Sequence, residues 1–181
     1  MVVLCVLGPD DWADWRELRL MALRDAPEAF GAKLADWQGD GDTERRWRSR
    51  LGGGTHDLLA YLDGEPAGMV SGMPQDHGVE LISLWVAPFA RGRGVGDALL
   101  DAVVRWSAGP VSLTVKEGNA AAITLYGRHG FVDAGPVGGN ERRMVRPPLR
   151  AERSGSSPTL IVNPIRHDEP ARRTQPRGIR R

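Results

Sequence analysis

The residues Arg91-Gly92-Arg93-Gly94-Val95-Gly96-Asp97 have the make-up of an anion site. Three glycines remove Cβ atoms where a phosphate must approach the backbone. Two arginines add charge and forked donors. The stretch follows Leu81, Ile82, Leu84, Trp85 and Val86, a buried-strand pattern ended by Ala87-Pro88. It leads into Asp97-Ala98-Leu99-Leu100, with Val103 and Val104 beyond, which is an apolar helical pattern. A strand, a glycine-rich turn and a helix start bring unpartnered N–H groups and the positive end of a macrodipole together. The chemistry this implies is binding of a phosphate or pyrophosphate at 91–97. No lysine follows the glycines, so this is not a Walker A loop. Gly92, Gly94 and Gly96 also lack the G-x-G-x-x-G spacing of a dinucleotide fingerprint.

A second constellation lies downstream. Asn119 suits an N-cap, Ala120 to Ala122 favour a helix, and Gly130 suits its end. Asn119, Ala122, Tyr126, Gly130 and Phe131 fit N-x-x-A-x-x-x-Y-x-x-x-G-F, and Arg91, Gly94 and Gly96 fit R/Q-x-x-G-x-G/A. In this order the two patterns resemble the signatures of the GNAT superfamily of N-acetyltransferases, over about residues 2–146. The resemblance implies an α/β fold: a mixed central sheet of six to seven strands with flanking helices, splayed between two parallel central strands. It implies acetyl-CoA as co-substrate, with its pyrophosphate on Arg91, Gly92, Arg93, Gly94, Val95, Gly96 and Asp97. Its pantetheine arm would pair with backbone groups of Leu84, Trp85 and Val86 where the strands part, near Val86.

The same resemblance implies catalytic roles. Tyr126 is the expected general acid for the leaving thiolate, and Asn119 is expected to order its helix and the donor arm. Glu80 is the candidate base. It stands eleven residues before Arg91, as a glutamate does in histone-type members of the family, and period-two alternation puts it on one face with Ile82 and Leu84. Ribosomal-protein alanine N-acetyltransferases share Asn119 and Tyr126 but carry a glutamate five residues before that asparagine. Thr114 stands there in this chain, which argues against N-terminal alanine as the acceptor. The expected activity is acetyl transfer to a primary amine of a small cationic molecule. A protein or peptide amine, or a non-catalytic acyl-CoA sensor, are the alternatives. Dimers are common in this family, so a homodimer is one assembly the resemblance allows.

These residues need elements to hold them. Val2 to Leu7 reads as a strand and Trp12 to Arg24 as a helix. A short helix from Thr43 to about Arg50 is expected before Gly52-Gly53-Gly54. Between the two helices, residues 25–44 carry six acids against Lys33, a charge suited to a cationic acceptor. His56 to Leu62 and Ala67 to Gly72 read as a hairpin about Asp63-Gly64, and Val79 to Val86 as the next strand. Val111 to Val115 follows the helix after the glycine turn, so it is expected parallel to 79–86. Phe131 to Ala134 and Glu141 to Arg146 read as a closing hairpin.

Composition bounds the rest. A chain of 181 residues is one domain's worth. Cys5 is the single cysteine, and His56, His77, His129 and His167 have no metal-ligand spacing, so no metal is expected. No stretch reads as a membrane span or a signal peptide, so a cytoplasmic enzyme is expected. Net charge is +1, which argues against a nucleic-acid partner. From Pro147 onward, however, eight arginines face three acids, a net +5, so residues 1–146 carry −4. The expected organisation is a transferase domain at 1–146 and a disordered Pro/Arg-rich tail at 147–181.

Overall fold

The computed structural model describes residues 1–148. Most of the expected tail, from position 149, lies outside them. Seven strands form one sheet: β1 Val2–Val6, β2 His56–Leu62, β3 Glu65–Gln75, β4 Gly78–Val86, β5 Val111–Lys116, β6 Val132–Gly138 and β7 Glu141–Arg146. Among the described residues four α-helices flank it: α1 Trp12–Asp25, α2 Glu44–Leu51, α3 Val95–Trp106 and α4 Ala120–Arg128. Short 3-10 turns occupy much of the connection between α1 and α2. Among the described residues, no helix is long and apolar enough to cross a membrane.

The strand order is β1-β2-β3-β4-β5-β7-β6. All neighbours are antiparallel except β4 and β5, which run parallel as expected. The β2–β3 hairpin turns at Asp63 and Gly64, both with positive φ, as a two-residue loop requires.

β2 reads His-Asp-Leu-Leu-Ala-Tyr-Leu because the sheet is covered on both faces. Leu58 packs with Val70, Leu99, Val103 and Leu113 on the α3/α4 side. Leu59 packs with Trp15, Leu18, Trp47 and Met69 on the α1/α2 side.

Two irregularities in the centre shape the site. First, the β4–β5 ladder consists of Val79↔Val111 and Glu80↔Ser112 alone. The strands therefore part just after Glu80, well before Val86, where the opening was expected. Second, β4 carries a bulge. Met69 pairs with Trp85 and Ser71 with Ile82, so Ser83 and Leu84 together oppose one residue of β3. Ser83 has φ of +60°, in the left-handed region.

The bulge reverses the alternation. Before it, Val79 and Leu81 pack on the α3/α4 side. After it, Leu84 and Val86 do so, while Trp85 turns to the α1/α2 side. Glu80 thus shares a face with Ile82 but not with Leu84, which corrects the strict period-two expectation.

Candidate active site

The parted strands open a cleft of about 900 Å³. β4 lines it with Glu80, Leu84, Trp85 and Val86. The turn and α3 contribute Arg91, Gly92, Gly94, Gly96 and Asp97, and α4 contributes Asn119 and Tyr126. Most of the residues singled out from the sequence therefore meet in one cavity. Arg93 and Val95 do not line it. The Arg93 guanidinium bonds Asp63 at 2.9 Å on the β2–β3 turn, and the Val95 side chain is buried in the core.

The glycines serve two purposes. Gly92 and Gly94 have φ of +74° and +82°, and Gly94 is the N-cap of α3. Gly96 has an ordinary φ, but a Cβ there would sit 3.2 Å from Leu125 Cδ2. Glycine at 96 thus lets α3 and α4 approach. The free N–H groups at the start of α3 face a cleft whose β4 wall, beyond Glu80, is laddered only to β3 among the described residues. This donor set fits a pyrophosphate followed by an amide-bearing arm.

Neither arginine of the turn is free. The Arg91 guanidinium bonds Val86 O at 3.1 Å through Nε and pairs with Asp25 through Nη2. Asp25 also accepts from Trp85 Nε1 at 2.9 Å. The indole bond, aided by Arg91, holds the Asp25 carboxyl below its ordinary value. This clasp ties the end of α1 to the glycine turn. Local patterning does not betray it, because 66 residues separate its ends.

Asp97 is likewise engaged, with His129 Nε2 at 2.9 Å and Arg128 Nη2 at 2.8 Å. The histidine bond, then the arginine, lowers its pKa. Arg128, on the cleft wall, is a cation near the turn that motif reading passed over.

Asn119 caps α4, its Oδ1 accepting from Ala122 N at 3.2 Å. That leaves Tyr126 nearly two turns into the helix, 7% exposed, with its ring 5.8 Å from that of Phe131. Burial pushes its phenol up to about 12. Glu80 accepts from Gln75 Nε2 at 3.3 Å, and Thr114 lies on the opposite wall of the cleft. A further cation, Arg19 of α1, lines the cavity beside Phe30.

Comparison with known proteins agrees with this fold. A model of the "Acetyltransferase (GNAT) family" matches residues 12–131. No curated protein matches the chain. Among solved structures, a GNAT-family acetyltransferase from Streptococcus pneumoniae is similar, with a TM-score of 0.64 and 21% identity; 81% of this chain and 99% of that one are covered. The PaiA N-acetyltransferase of Thermoplasma acidophilum, solved with coenzyme A, superposes with a TM-score of 0.61 at 16% identity, covering 81% and 99%. A ribosomal-protein alanine N-acetyltransferase of Escherichia coli gives 0.58 at 20% identity, covering 87% and 100%. The two signatures, the split sheet and the family match together establish that this chain belongs to the GNAT family of acetyltransferases, with acetyl-CoA as its co-substrate.

Proposed function

We propose that residues 1–146 form an N-acetyltransferase domain that moves the acetyl group of acetyl-CoA to the primary amine of a small molecule. The observation that carries this reading is the parting of β4 from β5 after Glu80. It brings the glycine turn, Glu80 and Tyr126 into one cleft. The free N–H groups of α3 and the open edge of β4 would hold the donor. A β4 N–H beside the parted strands would stabilise the oxyanion.

In the transfer, the amine nitrogen bonds the acetyl carbon, the carbon–sulfur bond breaks, and the sulfur leaves with the electron pair. Glu80, directly or through water, takes the amine proton. Tyr126 donates toward the sulfur. A phenol held at about 12 is a weaker acid than a thiol near 8.5. Tyr126 therefore acts by donating as charge develops on sulfur, with solvent restoring its proton. Its raised pKa keeps the donor proton in place throughout the neutral and mildly alkaline range.

The acidic 25–44 connection supports a cationic acceptor less than its six acids suggest. Asp25, Asp42 and Glu44 are paired with Arg91, Arg16 and Arg48. Glu80 is the acid that favours an amine in the cleft.

The test is acetyl-CoA-dependent thiol release across polyamines, aminoglycosides, amino acids and short peptides, with wild type and Tyr126→Phe. Turnover with one amine class, cut at least tenfold by Tyr126→Phe at unchanged acetyl-CoA affinity, is expected. Tight acetyl-CoA binding without turnover on any amine would overturn the transferase reading in favour of an acyl-CoA sensor.

A further inference from the structure

We infer that the acceptor amine also carries a carboxylate, and that Arg19 of α1 receives it; this rests on the transferase reading above. Arg19 is 9% exposed and lines the cleft. Its Nη1 is buried with no hydrogen-bond partner among the described residues. Burial first, then the nearby Arg50 charge, lowers its pKa to about 10, so it stays cationic at neutral pH. A buried guanidinium nitrogen without an acceptor costs stability, and among the described residues no polar group relieves that cost at Nη1.

The contrast with Arg50 is informative. That side chain also reaches inward, yet it bonds Thr55, Asp57 and Ser71. The cleft acids nearest in role are already engaged: Asp25 by Trp85 and Arg91, Glu80 by Gln75.

The chemistry of the missing partner follows from shape. Phe30 covers the Arg19 guanidinium, its ring centroid 4.6 Å from Cζ. Stacking occupies a face and leaves the in-plane N–H edge for a planar, bidentate acceptor, which a carboxylate supplies. Arg19 lies six residues before Asp25, about 9 Å along α1 from the clasp on the phosphate turn. That separates it from the pyrophosphate and places it toward the acceptor. Glu80 alternates with Val79 and Leu81, which pack on the α3/α4 side, so it points to the α1/α2 side, the side Arg19 comes from. An amino acid offers an ammonium to Glu80 and a carboxylate to Arg19.

The experiment compares amino acids with their α-amides as acceptors, in wild type, Arg19→Met and Arg19→Lys. It adds acetyl-CoA affinity by calorimetry and thermal shifts of the CoA-bound protein. Wild type is expected to prefer the carboxylate form at least tenfold in kcat/KM. Arg19→Met is expected to lose that preference with acetyl-CoA affinity unchanged and Tm unchanged or raised, and Arg19→Lys to recover part of it. Turnover of both forms at equal kcat/KM by wild type overturns the inference and leaves the transferase reading standing. Stabilisation of wild type, but not Arg19→Met, by the carboxylated member without turnover upholds the carboxylate site and overturns the transferase. A tenfold loss of acetyl-CoA affinity in Arg19→Met assigns Arg19 to a donor phosphate and overturns the inference. Neither turnover nor stabilisation by any member overturns both.

Discussion

An ammonium ion has no lone pair with which to attack a thioester. At pH 7 an amine with a pKa near 10.4 is neutral in only about one part in 2,500. Whatever removes that proton therefore governs the rate. Thr114 has no proton acceptor of comparable strength, whereas Glu80 places a carboxylate where β4 and β5 part. Glu80→Gln is expected to lower kcat tenfold or more at pH 7. The gap to wild type should narrow as pH rises toward the amine's own pKa, because solvent then does the deprotonation. A pH–rate series from 7 to 10 checks this, and a constant gap would remove Glu80 from the reaction. Residue types and spacing made Glu80, Asn119, Tyr126 and the glycines legible. The company they keep was not. That Leu84 leaves the face Glu80 occupies depends on an extra residue at Ser83, and serine at that position gives no hint of a positive φ. Nothing in the pattern of α1 distinguishes Arg19; its buried Nη1, without a partner among the described residues, sets it apart.

At the scale of elements, the acids between α1 and α2 act largely as fasteners. Asp42 accepts from Arg16 Nε of α1 at 2.6 Å and from Trp47 Nε1 of α2 at 2.8 Å. It thereby fixes the two helices that cover the α1/α2 side of the sheet. The Arg16 bond, then the indole bond, lowers its pKa from 3.8 to about 2. A carboxylate depressed on folding stabilises the fold above its unfolded value and ceases to do so as pH falls through the folded one. Asp42→Asn keeps an acceptor for Trp47 but loses the charge. At pH 7 it should cost about 1–2 kcal/mol, a fall of roughly 3–6 °C in Tm. The difference from wild type should close between about pH 4 and about pH 2. Thermal melts of both proteins across that range provide the check; a gap that persists at pH 2 would mean packing, not charge, is at stake. The partners of Asp42 escaped the sequence reading for a physical reason. An acid paired with an arginine 26 residues away has the same local pattern as an acid facing solvent.

At the scale of the molecule, the sheet and cleft of the described residues precede the basic segment in the chain. Strand positions, turn residues and the β4–α3–β5 order were legible because periodicity and punctuation are local, whereas β3 and β6 run longer than the expected Ala67 to Gly72 and Phe131 to Ala134. That β7 inserts between β5 and β6 was not, since a hairpin's own pattern does not say which strand meets the neighbour. β7 pairs with β5 from Val111↔Arg146 to Lys116↔Glu141, and Arg146 Nε donates to His129 O at 2.7 Å, anchoring the strand to the end of α4. Ending the chain after Pro148 therefore keeps every ladder partner and cleft-lining residue found among the described residues. It should leave Tm within about 2 °C and kcat/KM for acetyl-CoA within about twofold at moderate salt. Ending it after Asn140 should instead leave β5 and β6 without the strand between them and expose Met144's place in the core, giving no folded protein. Circular dichroism melts and thiol-release kinetics on the two truncations separate the cases. Loss of activity in the first, with its melt unchanged, would show that the basic segment completes the site and that the catalytic unit extends past residue 146.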